Sequence, residues 1–186
     1  MPDIFIIAGC NGAGKTTAAY NLLPKVFKTV EFVNADEIAR GLSPFNPTGV
    51  AFHAGRIMLE RLEQLLGENK NFSFETTLSG FTYIDFIRKA KERGYGITLF
   101  FVFLNSVNLA KERVAIRVSK GGHSIPGEVI ERRYFKGLGN FSKYATEAND
   151  WYVYDNSGKN YELVATRENN EKKIINFETF KIISGE

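Results

Sequence analysis

The segment GCNGAGKT, residues 9–16, contains the residue types and the spacing of a phosphate-binding loop. It matches the pattern G-x-x-x-x-G-K-[ST], in which glycines let the backbone wrap closely around phosphate oxygens. In this pattern the lysine, here Lys15, reaches the β- and γ-phosphates, and the hydroxyl, here Thr16, binds Mg²⁺. We therefore predict that ATP and Mg²⁺ bind here and that Lys15 also acts in catalysis. The predicted contacts to ATP are Gly9, Cys10, Asn11, Gly12, Ala13, Gly14, Lys15, Thr16 and Thr17.

Two further strand-like segments end in polar residues that could complete such a site. Asp36 follows VEFVNA, where its carboxylate could accept a proton from an attacking hydroxyl or hold Mg²⁺. Alternatively, or in addition, Asp36 caps the helix-like segment after it. Glu75 and Thr77 follow FSF, where they could bind an acceptor or water on the magnesium, although threonine also simply favours strands. We predict that Asp36 is catalytic and that Glu75 and Thr77 contact the substrate.

Cations are dense in residues 107–135, which we interpret as a mobile lid. Arg113 and Arg117 are four residues apart and so share one helix face. Cations on such a lid can neutralise charge on a transferred phosphoryl group. The alternative is that these residues form a solvent-exposed helix face, which is the more common role of a run of charged residues. We predict that Arg117 is catalytic and that Arg113 and Arg133 contact ATP. Arg56, on a long helix-like segment, is predicted to reach the acceptor, with a salt bridge to Glu60 as the alternative.

The elements that must position these residues alternate between strand and helix along all 186 residues. This alternation predicts one α/β domain, residues 1–186, with a mostly parallel sheet between two helical layers, as in P-loop NTPases and kinases. The first helix is expected from Lys15 to about Leu23, ending near Pro24. Residues 125–148 are predicted to be helical with kinks at glycines. Residues 150–176 are predicted to form a strand meander that adds an antiparallel C-terminal edge.

The composition favours a reducing compartment and gives little support for nucleic acid or a membrane as partner. Cys10 is the only cysteine, so no disulfide can form within the chain, and we expect a cytoplasmic protein. Cys10 could be a redox sensor at a helix N-terminus, or simply a small residue that fits. No apolar run approaches the roughly 18–20 residues needed to span a bilayer. The net charge is +3, and the charged residues are distributed along the chain rather than concentrated in one run. Nucleic-acid binding is therefore the less favoured expectation.

Four blocks, AGCNGAGKTT, FVNADEIARG, FETTLSG and RVSKGGHSIP with ERRY, together resemble the zeta-toxin family of P-loop kinases, over Ile4 to Tyr134. The resemblance implies ATP- and Mg²⁺-dependent phosphorylation of a hydroxyl on UDP-N-acetylglucosamine. It also implies that Asp36 is the base, that Glu75 and Thr77 contact the sugar nucleotide, and that lid arginines bind phosphate. An antitoxin protein is the partner it suggests. The chain departs from the family where a second lid arginine is expected, because His123 stands there and Arg132 or Arg133 would have to substitute.

The alternative function is a regulatory or nucleic-acid-associated P-loop ATPase, which the basic net charge would suit. A motor or transporter ATPase is disfavoured on two grounds. LSGF lacks the second glycine of the transporter-type signature, and the most apolar strand-like segment ends at Asn105 without a carboxylate. A small-molecule kinase is therefore the main hypothesis.

Overall fold

The computed structural model of the protein describes residues 2–22 and 29–185. Within these ranges seven strands form one sheet in the order β2-β3-β1-β4-β5-β6-β7. The first five strands are parallel, and β6 and β7 are antiparallel to their neighbours. The strands are β1 Asp3–Gly9, β2 Phe32–Val33, β3 Phe72–Thr76, β4 Gly96–Phe103, β5 Asp150–Asp155, β6 Glu162–Glu168 and β7 Glu171–Ile174.

Helices connect the parallel strands, as the alternating pattern predicted. The α-helices are α1 Lys15–Leu22, α2 Ala35–Leu42, α3 Ala51–Gly67, α4 Thr82–Glu92, α5 Val107–Ser119, α6 Gly127–Glu147 and α7 Phe177–Ser184. A 3-10 turn, Pro47–Val50, precedes α3. The predicted end of α1 near Leu23 and Pro24 lies outside the described residues.

The sheet is covered on both faces, which gives the three-layer architecture expected from the sequence. Along β1 the side chains alternate between two apolar clusters. Ile4 and Ile6 lie in the larger cluster, with residues of α3, α4, α6 and α7, whereas Phe5 and Ile7 lie with Ala19 of α1. Each buried aliphatic side chain of this kind contributes about 1.5–3 kcal/mol. Because β1 is a parallel strand buried on both faces, its segment IFII is a continuous apolar run.

The C-terminal part of the chain forms the predicted strand meander with an antiparallel edge. Residues 150–176 form the expected three strands; β5 pairs in parallel with β4, and the antiparallel edge begins at β6. The α5–α6 crossover returns the chain to the same end of the sheet before β5 starts, which makes that pairing parallel. The turn between β6 and β7 contains Asn169 and Asn170, both at positive φ, a conformation that asparagine adopts more readily than most residues.

The predicted kinks in the lid-side helix are absent, because α6 runs unbroken through Gly137 and Gly139. Gly137 has a packing role instead. A Cβ atom built there would lie 2.3 Å from the backbone oxygen of Thr77, so only glycine lets α6 approach the end of β3 this closely. The helix thus supports the loop after β3, where the predicted substrate residues lie. No helix within residues 2–22 and 29–185 is long and apolar enough to cross a bilayer.

Candidate nucleotide and acceptor site

The loop between β1 and α1 has the backbone shape that its glycines predicted. Gly9 and Gly14 both have positive φ, of 142° and 93°. A Cβ atom at Gly9 would lie 2.2 Å from the backbone oxygen of Val102 in β4, and one at Gly14 would lie 2.7 Å from both Asn156 Nδ2 and Tyr161 OH. Both glycines are therefore required by conformation and by space. We call residues 9–16 the P-loop.

The β5–β6 connection fixes the P-loop from one side. Asn156 Nδ2 donates to the backbone oxygen of Ala13 at 2.8 Å, and the Tyr161 hydroxyl donates to that of Gly14 at 2.9 Å. Sequence reasoning missed both residues. No local signal identified them, because they lie more than 140 residues from the loop that they hold. Their effect is to hold this loop in place.

Glu75 joins the P-loop to the end of β3. Its Oε2 accepts hydrogen bonds from the Thr16 hydroxyl at 2.7 Å and from Asn34 Nδ2 at 2.9 Å. Its Oε1 lies 3.4 Å from Lys15 Nζ, which also donates to the backbone oxygen of Cys10 at 2.9 Å. The side chains of Lys15 and Glu75 are only 6% and 10% exposed. Since buried charges need partners, this network explains why a carboxylate can end an apolar strand.

Asn34 caps the helix that carries Asp36, so the interpretation of Asp36 as the N-cap is wrong. Asn34 Oδ1 accepts from the backbone N–H groups of Asp36 at 2.8 Å and Glu37 at 3.4 Å. This arrangement leaves the Asp36 carboxylate in the first helical turn, free of the capping role. Asn34 was missed, although an asparagine followed three residues later by glutamate is a helix-start pattern. Asn34 therefore orients Asp36 through the backbone and Glu75 through its amide.

Two cavities meet at these residues. The first, which we call the P-loop cavity, has a volume of about 550 Å³ and lies between the P-loop, α2 and the loop between α5 and α6. The second, the β3 cavity, has a volume of about 290 Å³ and lies beside the residues that follow β3. Among the described residues the two cavities share Asn11, Lys15, Asn34, Asp36 and Glu75. A ligand in one cavity would therefore lie next to a ligand in the other.

The predicted nucleotide contacts fall into two groups. Asn11, Gly12, Gly14, Lys15, Thr16 and Thr17 line the P-loop cavity, as does Arg113. Gly9, Cys10 and Ala13 do not line it, in the part of the chain that the structure describes. Cys10 instead lies in an apolar cluster with Val102 and Tyr134. Burial raises the pKa of its thiol, and the nearby Lys15 opposes that shift only in part, which disfavours a redox sensor.

The lid arginines approach the two cavities from different helices. Arg117 of α5 lines the P-loop cavity, and its Nη2 donates to the backbone oxygen of His123 at 3.4 Å. Arg133 of α6 lines the β3 cavity, and its Nη1 donates to Asn11 Oδ1 at 3.3 Å. Arg132 is exposed and lines neither cavity within the described ranges. Of the two arginines considered as substitutes on the lid, only Arg133 therefore faces the site.

His123 lies in the lid loop, half-buried, on the wall of the P-loop cavity. Burial lowers the pKa of its imidazole. The Asp36 carboxylate raises that pKa, whereas the guanidinium groups of Arg117, Arg40 and Arg133 lower it further. His123 is therefore within electrostatic reach of both the predicted base and the predicted phosphate contacts.

Two predicted substrate contacts have different positions. Thr77 lines the β3 cavity, and its hydroxyl is 3.0 Å from that of Ser79, which also lines the cavity. Arg56 is exposed on α3 and lines neither cavity in the described residues, so the structure does not bring it to the others. A role for Arg56 in acceptor binding stays a prediction.

The donor set beside the P-loop fits Mg²⁺. The Thr16 hydroxyl and the Glu75 carboxylate are adjacent oxygen donors, and Mg²⁺ in nucleotide sites typically takes one or two protein oxygens together with phosphates and water. In the described residues, no group of three or more His, Cys, Asp or Glu side chains is placed to hold a metal ion. Thr16 and Glu75 are thus the residues that would hold Mg²⁺, directly or through water.

Comparison with known proteins identifies relatives over most of the chain. The family model described as Zeta toxin matches residues 1–168. A Haemophilus influenzae protein of unassigned function is 32% identical over 128 residues, which cover 68% of this chain and 88% of that protein.

Solved structures share the fold at lower identity. A chain of the AvrRxo1-ORF1:ORF2 complex with ATP superposes with a TM-score of 0.79 at 19% identity, covering 99% of this chain. This chain spans only 64% of that longer chain. A chain from the PezAT toxin–antitoxin system of Streptococcus pneumoniae superposes with a TM-score of 0.68 at 13% identity, covering 100% of this chain and 80% of that one. The fold is that of P-loop kinases.

Proposed function

We propose that this chain, which belongs to the zeta-toxin family, transfers the γ-phosphoryl group of ATP to a hydroxyl of a small molecule. The observation that carries the proposal is the junction of the P-loop cavity and the β3 cavity at Asp36. A hydrolase needs space for water only, whereas a kinase needs a second cavity that opens onto the γ-phosphate position. The β3 cavity is such a space, and its walls carry hydroxyl, amide and carboxylate groups.

The P-loop cavity is proposed to hold the triphosphate. Lys15 is paired with Glu75, so its ammonium group must exchange that carboxylate for phosphate oxygens when ATP binds. Arg113 and Arg117 are proposed to contact the phosphates from the lid side, where they neutralise charge as it moves during transfer. Bound Mg²⁺ would supply further charge neutralisation on the phosphates, next to Thr16 and Glu75.

Asp36 is proposed to be the general base. Its carboxylate accepts the proton of the acceptor hydroxyl while the hydroxyl oxygen forms a bond to the γ-phosphorus. The bond from that phosphorus to the β–γ bridging oxygen breaks, and ADP leaves with the bonding electron pair. The position of Asp36 supports this role because it lines both cavities, and because Asn34 takes over the capping of α2.

The acceptor is proposed to be UDP-N-acetylglucosamine, as the resemblance of the sequence blocks implies. Thr77, Ser79 and Glu75 would bind hydroxyl groups of the sugar, because hydroxyl and carboxylate side chains pair well with sugar hydroxyls. Arg133 enters the same cavity from α6 and would bind phosphate at its edge. These roles are proposals that rest on the placement of the side chains.

The test is acceptor-dependent turnover. ADP formation is measured with ATP alone and then with UDP-N-acetylglucosamine, UDP-glucose, UDP-galactose and free N-acetylglucosamine, and products are identified by mass spectrometry. We expect UDP-N-acetylglucosamine to raise ADP formation and to gain one phosphate. If no compound raises turnover above the rate with ATP alone, the proposal is contradicted.

We also propose that a cytoplasmic antitoxin protein binds this chain, because a structural relative belongs to a toxin–antitoxin system. The test is co-expression with the protein of the adjacent reading frame. We expect a complex that is stable in gel filtration and inhibits acceptor-dependent turnover. If the two proteins elute separately and turnover is unchanged, that protein is not an antitoxin for this chain.

A further inference from the structure

The segment that follows β3, residues 77–80, forms one wall of the β3 cavity, and we call it the β3 loop. Thr77 and Ser79 line that cavity, and their hydroxyls are 3.0 Å apart. Between them, the side chain of Leu78 is fully buried in the larger apolar cluster. The backbone of the β3 loop therefore determines where these two hydroxyl groups lie.

The backbone of the β3 loop has a conformation that its residue types do not favour. Leu78 has a φ of 53°, in the left-handed region that residues with a Cβ atom rarely adopt. Its backbone N–H donates to the Thr76 hydroxyl at 3.1 Å, which is a local contact. Because the left-handed conformation costs a leucine free energy, contacts from the surrounding structure must hold it, and such residues cluster at functional sites.

Helix α6 supplies such contacts from one of its faces. Asn140 Nδ2 donates to the backbone oxygen of Leu78 at 2.7 Å, and the Tyr144 hydroxyl donates to that of Gly80 at 2.7 Å. Gly137 lets the helix approach the start of the same loop. Positions 137, 140 and 144 are separated by three and four residues, so they lie on one helix face. Successive turns of α6 therefore contact the β3 loop along its length.

Neither of the two donors lines a cavity of the site. The Tyr144 side chain is buried and Asn140 is half-buried, and within the described ranges both are absent from the walls of the P-loop cavity and the β3 cavity. A ligand in the β3 cavity would therefore meet the β3 loop and not these side chains. Any effect that they have on a reaction must act through the backbone that they hold.

The same face of α6 also reaches the P-loop. Arg133 lies one turn before Gly137, and its Nη1 donates to Asn11 Oδ1 at 3.3 Å. From Arg133 to Tyr144 an α-helix rises by roughly 16 Å, at about 1.5 Å per residue. Because α6 is unbroken between these contacts, it keeps the P-loop and the β3 loop at a set distance from each other.

We propose that Asn140 and Tyr144 are positioning residues for phosphoryl transfer. They hold the β3 loop in the one backbone shape that presents the hydroxyls of Thr77 and Ser79 to the acceptor. This inference rests on the proposed function, because it takes the β3 cavity as the place of the acceptor. Both residues lie outside every sequence block used to identify the site.

The experiment compares native protein with Tyr144→Phe and Asn140→Ala, each of which removes one donor to the β3 loop. Tyr134→Phe is the matched control, because Tyr134 is also buried on α6 and also donates at 2.7 Å, but to the backbone oxygen of Leu104. The first measurement is hydrogen exchange of the backbone amides of residues 77–81. We expect exchange to be about 2- to 12-fold faster in the two test variants, the range for loss of one hydrogen bond, and unchanged in Tyr134→Phe.

The second measurement is steady-state kinetics with ATP and UDP-N-acetylglucosamine. We expect the KM for the acceptor to rise about 2- to 12-fold in Tyr144→Phe and Asn140→Ala, while the KM for ATP keeps its native value. Tyr134→Phe should leave both constants unchanged. A residue that only stabilised the fold would lower Tm without separating the two KM values. An equal rise in both constants would overturn the inference.

The two proposals can fail separately. If native protein transfers phosphate to no acceptor, the proposed kinase reaction fails, and hydrogen exchange alone decides whether α6 holds the β3 loop. If transfer occurs but the acceptor KM of both test variants equals that of Tyr134→Phe, the reaction stands and the positioning role is wrong. Exchange at residues 77–81 that is unchanged in both test variants overturns the inference in either case.

Discussion

The hydroxyl of Thr16 donates a 2.7 Å hydrogen bond to Glu75, a residue 59 positions later in the chain. The parallel pairing of β1 with β3 makes this contact possible, because it places Ile7 opposite Glu75 and brings the two strand ends together. The same carboxylate pairs with Lys15. Glu75 therefore links the residue predicted to bind Mg²⁺ with the residue predicted to bind phosphate.

The first prediction concerns Glu75→Gln, which keeps the side-chain shape and removes its charge. Lys15 is then left buried without its carboxylate partner, so we expect the free energy of unfolding to fall by about 3 kcal/mol in urea denaturation. Glu63→Gln is the matched control, because Glu63 pairs with Lys89 on the surface and its loss should cost less than about 1 kcal/mol. Equal losses in the two variants would contradict the structural role of Glu75.

The second prediction separates the arginines of the lid. Arg117→Ala removes a guanidinium group from the P-loop cavity, and we expect the rate of phosphoryl transfer to fall by at least about 100-fold. Arg132→Ala should change the rate by less than about twofold, because that side chain is exposed and away from these cavities in the described residues. Rates are measured as kcat at saturating ATP. Similar rates for the two variants would show that Arg117 does not contact the phosphoryl group.

The third prediction concerns the thiol of Cys10. Because burial raises its pKa, the thiolate fraction at pH 8 is smaller than in the unfolded chain, and access is restricted as well. We expect a disulfide reagent to modify the native protein at least about tenfold more slowly than the protein in urea, with the rate rising as pH approaches the raised pKa. Reaction at the unfolded rate would contradict the buried position of Cys10.

The fourth prediction uses the lowered pKa of His123. Below its ordinary value of 6.5 the unfolded chain binds the proton more readily than the folded chain, so the contribution of His123 to stability is lost as pH falls. We therefore expect His123→Gln to gain in Tm relative to native protein between pH 7 and pH 5. His53→Gln is the control, because His53 is exposed on α3. A difference in Tm that is constant with pH, or that changes in the opposite direction, would contradict the assignment.

Much of the site could be predicted because it depends on local patterns. The GxxxxGKT spacing, the strand before it and the helix after it are all visible in the sequence, and parallel strands bring Asp36 and Glu75 to the same sheet edge. Within the predicted lid region, helix α5, Val107–Ser119, begins directly after Ser106, whose side chain caps it. The residues that form this helix and the Ser106 side chain that caps it are neighbours in the sequence, so local patterns are sufficient to predict it.

The remainder depends on contacts between distant segments. Arg132 and Arg133 are neighbours, and only the rotation of α6 against the P-loop decides which of them meets Asn11. Gly137 was expected to kink its helix, but close packing against Thr77 keeps that helix regular. Asn156 and Tyr161 reach the P-loop only because β5 ends and β6 begins beside it. These relationships have no counterpart in local sequence.

The most direct test of Asp36 as the general base is the rate of γ-phosphoryl transfer from labelled ATP to UDP-N-acetylglucosamine by Asp36→Ala, measured with the Kd for ATP. Asp85→Ala is the control, since Asp85 also lies in the first turn of a helix but is exposed. If Asp36 is the base, its loss should lower transfer by about 100- to 10,000-fold with little change in the Kd, while Asp85→Ala transfers at the native rate. Transfer at the native rate by Asp36→Ala would show that Asp36 is not the base.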